Sequence, residues 1–193
     1  MNYTIDVSAF TDRISDRDLL QISSDNPELR FETDAKGNLI VMPLRYTLYG
    51  MYNAELLGQI GAWNHQYKLG VAFDPSTGFK LANGAVRSPS VSWIASERWN
   101  SLSKEQQKSF APIAPDFVIE LLTPIDELTK IREKMQEYFS CSVKLGWLIN
   151  FDAKEVEIYR LGKEKEIFKN PNSLSGEEIL PGLTVDLTEI FSS

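Results

Sequence analysis

Cysteine and histidine are nearly absent from this chain of 193 residues, and their scarcity excludes several kinds of site. Cys141 and His65 are the single members of their types. One cysteine cannot form an internal disulfide or a thiolate metal cluster, and one histidine cannot build a multi-histidine zinc site or a two-histidine acid–base pair. His65 falls near the end of a predicted helix, where a capping or dipole role explains it. Metal chemistry would need oxygen ligands and a hard ion such as Mg²⁺, and catalysis would rest on carboxylates and lysine.

Long hydrophobic runs and an excess of positive charge are also missing. No stretch of about 18 or more apolar residues occurs, and residues 1–10 have neither a basic start nor an apolar block, so we expect a cytoplasmic protein without a membrane segment. The formal net charge of −7 argues against strong non-specific attraction to nucleic acid. A local basic patch is still conceivable, although an evenly mixed surface is the commoner outcome. The residues that could form this patch are Lys104, Lys108, Lys130, Arg132, Lys134 and Lys144.

Hydrophobic residues make up 42% of the chain, which suffices for one well-filled core. We therefore predict a single domain over residues 1–193. Periodicity and turn residues predict its elements. Helices are expected over residues 15–23, 53–67 and 103–110, a hairpin over 29–42, successive antiparallel strands over 70–94 with the last at 88–94, further strands at 156–160 and 166–168, and a terminal strand within 179–191.

Residues 115–151 are typical of a strand, a helix and a second strand, and they contain the most informative acidic residue. Glu120 lies in the run Phe-Val-Ile-Glu-Leu-Leu, with apolar neighbours on both faces, as in a strand buried in a sheet covered by helices. A carboxylate buried without a partner costs several kcal/mol or becomes protonated, so a cation, a lysine or an arginine must compensate it. We interpret Glu120 as a functional carboxylate; a structural ion pair is the alternative.

The helix that follows the strand offers a partner for Glu120. Lys134 lies one turn before Tyr138, on the border of the apolar stripe of this helix, so its long stem can follow the helix towards the sheet and bring the ammonium near Glu120. The alternative is that Lys134 pairs with Glu133 or Glu137 in solvent. The sequence alone leaves both arrangements open.

Two aspartates lie near Glu120 in the sequence and are candidates for a further acid. Asp116 shares a strand face with Glu120, but four residues of strand separate the two by about 13 Å, so they cannot share one ion. Asp126, in the loop after the strand, is a better spare ligand. Its simpler interpretation is the N-cap of the following helix.

Several motifs occur in the order found in one known family. They are Arg87-Ser-Pro-Ser-Val-Ser-Trp-Ile-Ala-Ser-Glu-Arg-Trp-Asn, then Ala-Pro-Asp-Phe-Val-Ile-Glu-Leu-Leu-Thr-Pro-Ile-Asp ending at Asp126, then Glu-Lys-Met-Gln-Glu-Tyr and Gly-Trp-Leu-Ile. With the ending Leu180-Pro-Gly-Leu-Thr-Val-Asp-Leu, the chain resembles the restriction endonuclease family that is greatly expanded in cyanobacteria, a branch of the PD-(D/E)XK nuclease superfamily. The likeness extends from Ser15 to Phe191.

The resemblance implies an α/β (α+β) fold in which helices flank a mixed sheet. It also implies that an aspartate on one strand and a glutamate on the next hold Mg²⁺ while a lysine positions the attacking water for hydrolysis of DNA. Glu120 matches the strand glutamate. The superfamily motif has a lysine two residues after this glutamate, but that position is Leu122 here. The resemblance therefore gives Lys134, on the next helix, as the substitute for that lysine. A homodimer is expected, because two-fold nucleases meet the two DNA strands symmetrically.

Two acidic positions of the family pattern are not acidic in this chain. The metal-binding aspartate of the Pro-Asp-Val segment is replaced by Ser90, and an upstream acid is replaced by Leu48. The resemblance thus gives Glu120, Lys134 and Ser90 as the catalytic set and Glu120 and Ser90 as the ligands of Mg²⁺, if the protein is active. Because a serine hydroxyl is a neutral and weak ligand, we expect weakened or abolished activity. The alternative is a non-catalytic nuclease-fold homodimer that binds nucleic acid or protein.

Overall fold

The computed structural model describes residues 3–9, 11, 13–42, 44 and 46–192. It is a mixed α+β architecture in which helices flank β-sheets. The helices are α1 (Asp16–Asp25), α2 (Thr47–Tyr67), α3 (Ser96–Asn100), α4 (Lys104–Gln107), α5 (Leu128–Ser140) and α6 (Thr188–Ser192). The strands are β1 (Tyr3–Ile5), β2 (Arg30–Thr33), β3 (Leu39–Met42), β4 (Gly70–Phe73), β5 (Phe79–Lys80), β6 (Val86–Arg87), β7 (Val91–Ala95), β8 (Phe117–Leu122), β9 (Leu145–Asn150), β10 (Glu155–Arg160), β11 (Glu166–Lys169), β12 (Ser173–Ser175) and β13 (Thr184–Asp186).

The larger sheet has six strands in the order β11-β10-β9-β8-β7-β4. Neighbouring strands are antiparallel except β8 and β9, which are parallel, with Glu120 opposite Leu148. A parallel pair needs a crossover, and α5 provides it. Residues 117–121 are all buried, which confirms the prediction of a central strand covered on both faces.

The two faces of this sheet pack against different helices. On one face, Leu56, Ile60 and Trp63 of α2 contact the alternating residues of β7, β8 and β9, including Ile119 and Trp147. On the other face, Ile131, Met135 and Tyr138 of α5 pack with Val118 and Leu148. Because strand side chains alternate between faces, Glu120 shares the α5 face with Val118.

A second sheet of five strands, in the order β1-β3-β2-β6-β5, contains the predicted hairpin as β2 and β3. The series of antiparallel strands predicted over residues 70–94 divides between the two sheets: β4 and β7 belong to the six-stranded sheet, β5 and β6 to the five-stranded sheet. The prediction of one strand over residues 88–94 was too long. The strand starts at Val91, because residues 88–90 carry the chain from one sheet to the other.

Helix boundaries follow the sequence signals where a side-chain cap exists. Ser103 forms the capping box that its sequence pattern indicates at the start of α4, and Ser15 forms one with Asp18 at the start of α1. By contrast, α2 begins at Thr47 and not near residue 53. Its N-cap Tyr46 makes no side-chain cap bond and Leu48 is exposed, so neither a cap signal nor the apolar period marks the first turns.

Candidate functional site

Glu120 and Lys134 are in direct contact on the α5 face of the central strand. The Glu120 side chain is 4% exposed, and its Oε1 lies 2.8 Å from Lys134 Nζ. The Tyr138 hydroxyl, one helical turn beyond Lys134, donates to the same oxygen at 2.9 Å. The predicted contact between Lys134 and Glu120 is confirmed. The Lys134 side chain is only 11% exposed, so the alternative of a solvent-exposed ion pair for this lysine is wrong.

A second carboxylate contacts the same ammonium. Glu32 of β2 is buried, and its Oε1 lies 2.7 Å from Lys134 Nζ. Ser88 donates its backbone N–H to Glu32 Oε1 at 2.8 Å, and Arg87 NH1 contacts Oε2 at 3.1 Å. Lys134 therefore lies between two buried carboxylates, one from each sheet.

Sequence reasoning did not identify Glu32. In the hairpin, alternation places Glu32 on the face opposite Phe31, and in a two-stranded hairpin that face is normally solvated. The structure places this face of β2 against α5 and the end of β6, where Glu32 meets Lys134 and Arg87. The one available signal was an acidic residue in a strand whose partner strand, residues 39–42, is entirely apolar.

Arg87 extends this group to a third carboxylate. Its Nε lies 2.5 Å from Glu137 Oε2, and Glu137 Oε1 accepts a hydrogen bond from Asn83 at 2.9 Å. We call the connected residues the Lys134 cluster, comprising Glu32, Arg87, Glu120, Lys134 and Glu137. It joins three carboxylates and two cations from β2, β6, β8 and α5.

The electrostatics of the cluster favour the charged form of Glu32. Burial alone would raise the pKa of Glu32, but the charges of Lys134 and Arg87 and the hydrogen bonds from Lys134 and Ser88 outweigh burial and lower this pKa to about 2. Burial, together with the negative charge of Glu120, raises the pKa of Tyr138 well above its ordinary value. Tyr138 therefore keeps its proton and acts as a hydrogen-bond donor to Glu120.

Ser90 lies beside Glu120. Val91 of β7 pairs with Ile119 of β8, and continuing this antiparallel register by one residue places Ser90 opposite Glu120. Ser90 is fully buried, and its hydroxyl oxygen accepts a hydrogen bond from the backbone N–H of Leu121 at 3.3 Å. The three residues predicted as the catalytic set thus lie together.

A small cavity of about 30 Å³ adjoins these residues and is lined by Glu120, Lys134 and Asp126 among others. Asp126 Oδ2 accepts hydrogen bonds from the N–H and hydroxyl of Thr123, at 3.0 and 2.7 Å. Because Asp126 closes this turn, the prediction that it caps α5 was wrong. The N-cap is Glu127, and it makes no side-chain cap bond.

Asp116 belongs to a different ion-pair group at the start of β8. Its Oδ1 lies 2.8 Å from Lys144 Nζ and 2.9 Å from Arg98 NH1, and its Oδ2 accepts from the N–H of Ala95 at 2.9 Å. Burial raises its pKa, but these partners outweigh burial and the net pKa is lowered. Asp116 therefore anchors α3 and the β8–β9 end of the sheet, apart from Glu120.

Basic residues that could form a patch are instead paired with carboxylates. Lys130 pairs with Glu127 at 2.8 Å, Arg132 pairs with Glu157, and Lys134 pairs with Glu32 inside the Lys134 cluster. The mixed surface is therefore the better description of this side of the protein.

The residues at the site do not fit a Mg²⁺ ion as they are arranged. Within residues 3–9, 11, 13–42, 44 and 46–192, no three His, Cys, Asp or Glu side chains are placed to hold a metal. Glu120 Oε1 already contacts the ammonium of Lys134 and accepts a hydrogen bond from the Tyr138 hydroxyl. The position opposite Glu120 carries the neutral hydroxyl of Ser90. Mg²⁺ requires oxygen ligands in near-octahedral geometry, and these oxygens are committed to an ammonium and to hydrogen-bond donors.

Comparison with solved structures defines the class of fold. A crystal structure described as a putative nuclease belonging to DUF820, from Anabaena variabilis ATCC 29413, superposes with a TM-score of 0.71 at 23% identity. The match covers 84% of this chain and 89% of that chain. The chain therefore shares the fold of that protein, with helices flanking a mixed sheet, as the sequence resemblance implied.

The family follows from the sequence match. Residues 16–188 match the model of the Uma2 family, described as "Putative restriction endonuclease", and the chain belongs to that family. No curated protein matches the chain. None of the helices in the described part of the chain has the length and apolar character needed to cross a membrane.

Proposed function

We propose that this chain is a nuclease-fold protein derived from Mg²⁺-dependent DNA endonucleases, in which degeneration of the metal site has abolished efficient phosphodiester hydrolysis. The observation that carries the proposal is the state of Glu120. Its carboxylate is bound by Lys134 and Tyr138, and its neighbour across the strands is Ser90 and not an acid.

The chemistry of hydrolysis explains why these changes matter. A metal-dependent nuclease needs clustered carboxylates to hold an ion that generates the nucleophile and neutralises charge on the phosphate. Here the negative charge of Glu120 is balanced inside the protein by Lys134. The site therefore has little net negative charge with which to attract Mg²⁺.

The proposed role is that of a homodimeric binding protein for DNA. Membership of the family supports DNA as the partner. The net charge of −7 argues against strong non-specific attraction, so affinity for DNA would rest on local contacts of lysine and arginine with phosphate and should fall as salt rises. Fluorescence anisotropy with a labelled duplex, measured at two salt concentrations, tests this role.

The degenerate site is tested by restoring the missing acid. We expect the wild-type protein to show no heat of Mg²⁺ or Mn²⁺ binding at millimolar concentration in calorimetry and no nicking of supercoiled plasmid. Ser90→Asp should bind the metal, because it places a second carboxylate opposite Glu120. Recovery of nicking in Ser90→Asp, and its loss in Ser90→Asp/Glu120→Ala, would support descent from an active centre.

Ser92→Asp is the matched control, because Ser92 is equally buried on the same face of β7 but pairs with Val118. It should bind no metal. Metal-dependent nicking by the wild-type protein that disappears in Glu120→Ala would contradict the proposal.

A further inference from the structure

The side of α2 that faces away from the six-stranded sheet is exposed but carries few polar residues. The inner side of this helix packs on the sheet through Leu56, Ile60 and Trp63. A Cβ added to Gly58, on the other side, would meet no neighbouring segment within 4 Å, so the rest of the described chain leaves this side uncovered. We call this stripe the outer face of α2, comprising the exposed residues Met51, Ala54, Glu55, Gly58, Ala62 and His65.

The composition of the outer face is that of a buried surface. Helices at the surface of a protein normally carry charged residues on the side away from the core, whereas a helix that is apolar on both sides is normally covered on both. Large apolar side chains are exposed at both ends of α2: Met51 is 51% exposed near its start, and Tyr67 and Leu69 are 49% and 38% exposed at its end. The outer face therefore resembles an interface more than a solvated helix surface.

The two polar residues of the outer face show what kind of partner fits it. Glu55 is the one acidic residue of α2 and His65 the one basic residue, and both are exposed. They are about 15 Å apart along the helix, too far to pair within one chain. A second, antiparallel α2, related by a two-fold axis level with Ile60, would bring Glu55 opposite the partner's His65, and would do so twice. A parallel α2 would instead place like residues opposite each other.

We propose that the outer face of α2 binds a second copy of this chain, with the two α2 helices antiparallel. The proposal rests on the homodimer of the proposed function and assigns the surface that forms it. In this arrangement Gly58 lies opposite the partner's Ala62. Neither position carries more than a methyl group, so the helix axes can approach to about 8 Å, the short end of the usual range. Met51 lies level with the partner's Leu69, so apolar side chains meet at both ends of the contact.

The first test blocks the close approach of the helices. Ala62→Arg places a long charged side chain at the centre of the outer face, and light scattering at micromolar concentration should then give 21.9 kDa, half the mass expected of the wild type. The fold should be unaffected, because Ala62 is exposed and arginine is a good helix former. Ala153→Arg is the matched control, since Ala153 is exposed in the turn between β9 and β10. It should remain a dimer.

The second test exchanges the two polar residues and is specific for the antiparallel arrangement. Glu55→Lys places a lysine opposite the partner's His65, and His65→Glu places two carboxylates opposite each other. Each variant should raise the dissociation constant of the dimer about tenfold, because the contact occurs twice. Glu55→Lys/His65→Glu restores opposite charges and should return this constant to within about threefold of the wild-type value. Sedimentation equilibrium measures all four. The two residues are too far apart within one chain to compensate each other, so recovery reports contact between copies.

The outcomes separate this inference from the proposed function. A dimer of Ala62→Arg with wild-type affinity, or a double variant that dimerises no more tightly than the two single variants, overturns the inference and leaves a homodimer formed by another surface. If circular dichroism shows that Ala62→Arg is unfolded, the charge exchange alone decides. A wild-type protein that stays monomeric up to about 100 μM overturns both the inference and the homodimer. The loss of hydrolysis is measured separately, by metal calorimetry and plasmid nicking, and none of these results changes it.

Discussion

At the scale of single residues, the site depends on how each buried charge is balanced. Glu32 and Glu120 are buried, Lys134 is mostly shielded from water, and each of the three contacts opposite charge. Removal of one partner from such a group is costly, typically about 3–5 kcal/mol, because it leaves an uncompensated charge in the interior. The cluster therefore behaves as a unit, and substitutions within it should be strongly non-additive.

Glu32 should make the free energy of unfolding depend on pH in the acidic range. Its folded-state pKa of about 2 lies below the ordinary value of 4.5, so its contribution to stability is fully present above pH 4.5 and is lost as the pH falls through 2. This difference corresponds to about 3 kcal/mol. In urea unfolding between pH 7 and pH 2, the stability gap between wild type and Glu32→Gln should narrow by about this amount.

Glu164→Gln is the control for this pH series, because Glu164 is exposed. Its stability should follow that of the wild type over the whole range. A gap between wild type and Glu32→Gln that stays constant from pH 7 to pH 2 would show that Glu32 is not ionised in the folded protein.

At the scale of elements, the position of Lys134 depends on how closely α5 packs on the sheet. Gly146 of β9 lies under α5, and a Cβ added to it would lie 2.8 Å from Met135 Cε and 3.1 Å from Phe139 Cε2. The absence of a side chain at position 146 thus allows the close approach of the helix. This approach brings Lys134 within reach of Glu120.

Gly146→Ala should therefore destabilise the protein by about 1–3 kcal/mol, the usual cost of overpacking a well-packed core. Gly58→Ala is the matched substitution within α2, where an added Cβ meets nothing within 4 Å. It should stabilise the protein by about 0.5–1 kcal/mol, because alanine is the better helix former. Urea unfolding measures both, and equal effects of the same sign would refute this account of the helix–sheet contact.

At the scale of the whole molecule, the homodimer is a prediction from the family resemblance and from two-fold symmetry on DNA. Light scattering at micromolar concentration should give a mass of twice 21.9 kDa. A mass of 21.9 kDa throughout a dilution series starting at about 100 μM would exclude a dimer with micromolar affinity.

The sequence by itself determined the family, the central strand, the crossover helix and the need of Glu120 for a compensating partner. These features depend on local periodicity and on the cost of burying a charge, and both can be read along the chain. The missing acid at Ser90 was also visible, because the neighbouring motif residues fix its position.

Only the tertiary structure decided the rest. Glu32 is 88 residues from Glu120 in sequence and lies in another sheet, and no local pattern specifies which face of a hairpin the remainder of the chain will cover. In the same way, Asp126 accepts a hydrogen bond from Thr123 in the turn after β8 instead of capping α5. Packing between distant segments brought a second carboxylate to Lys134, and this contact makes the lysine the counter-ion of both acids.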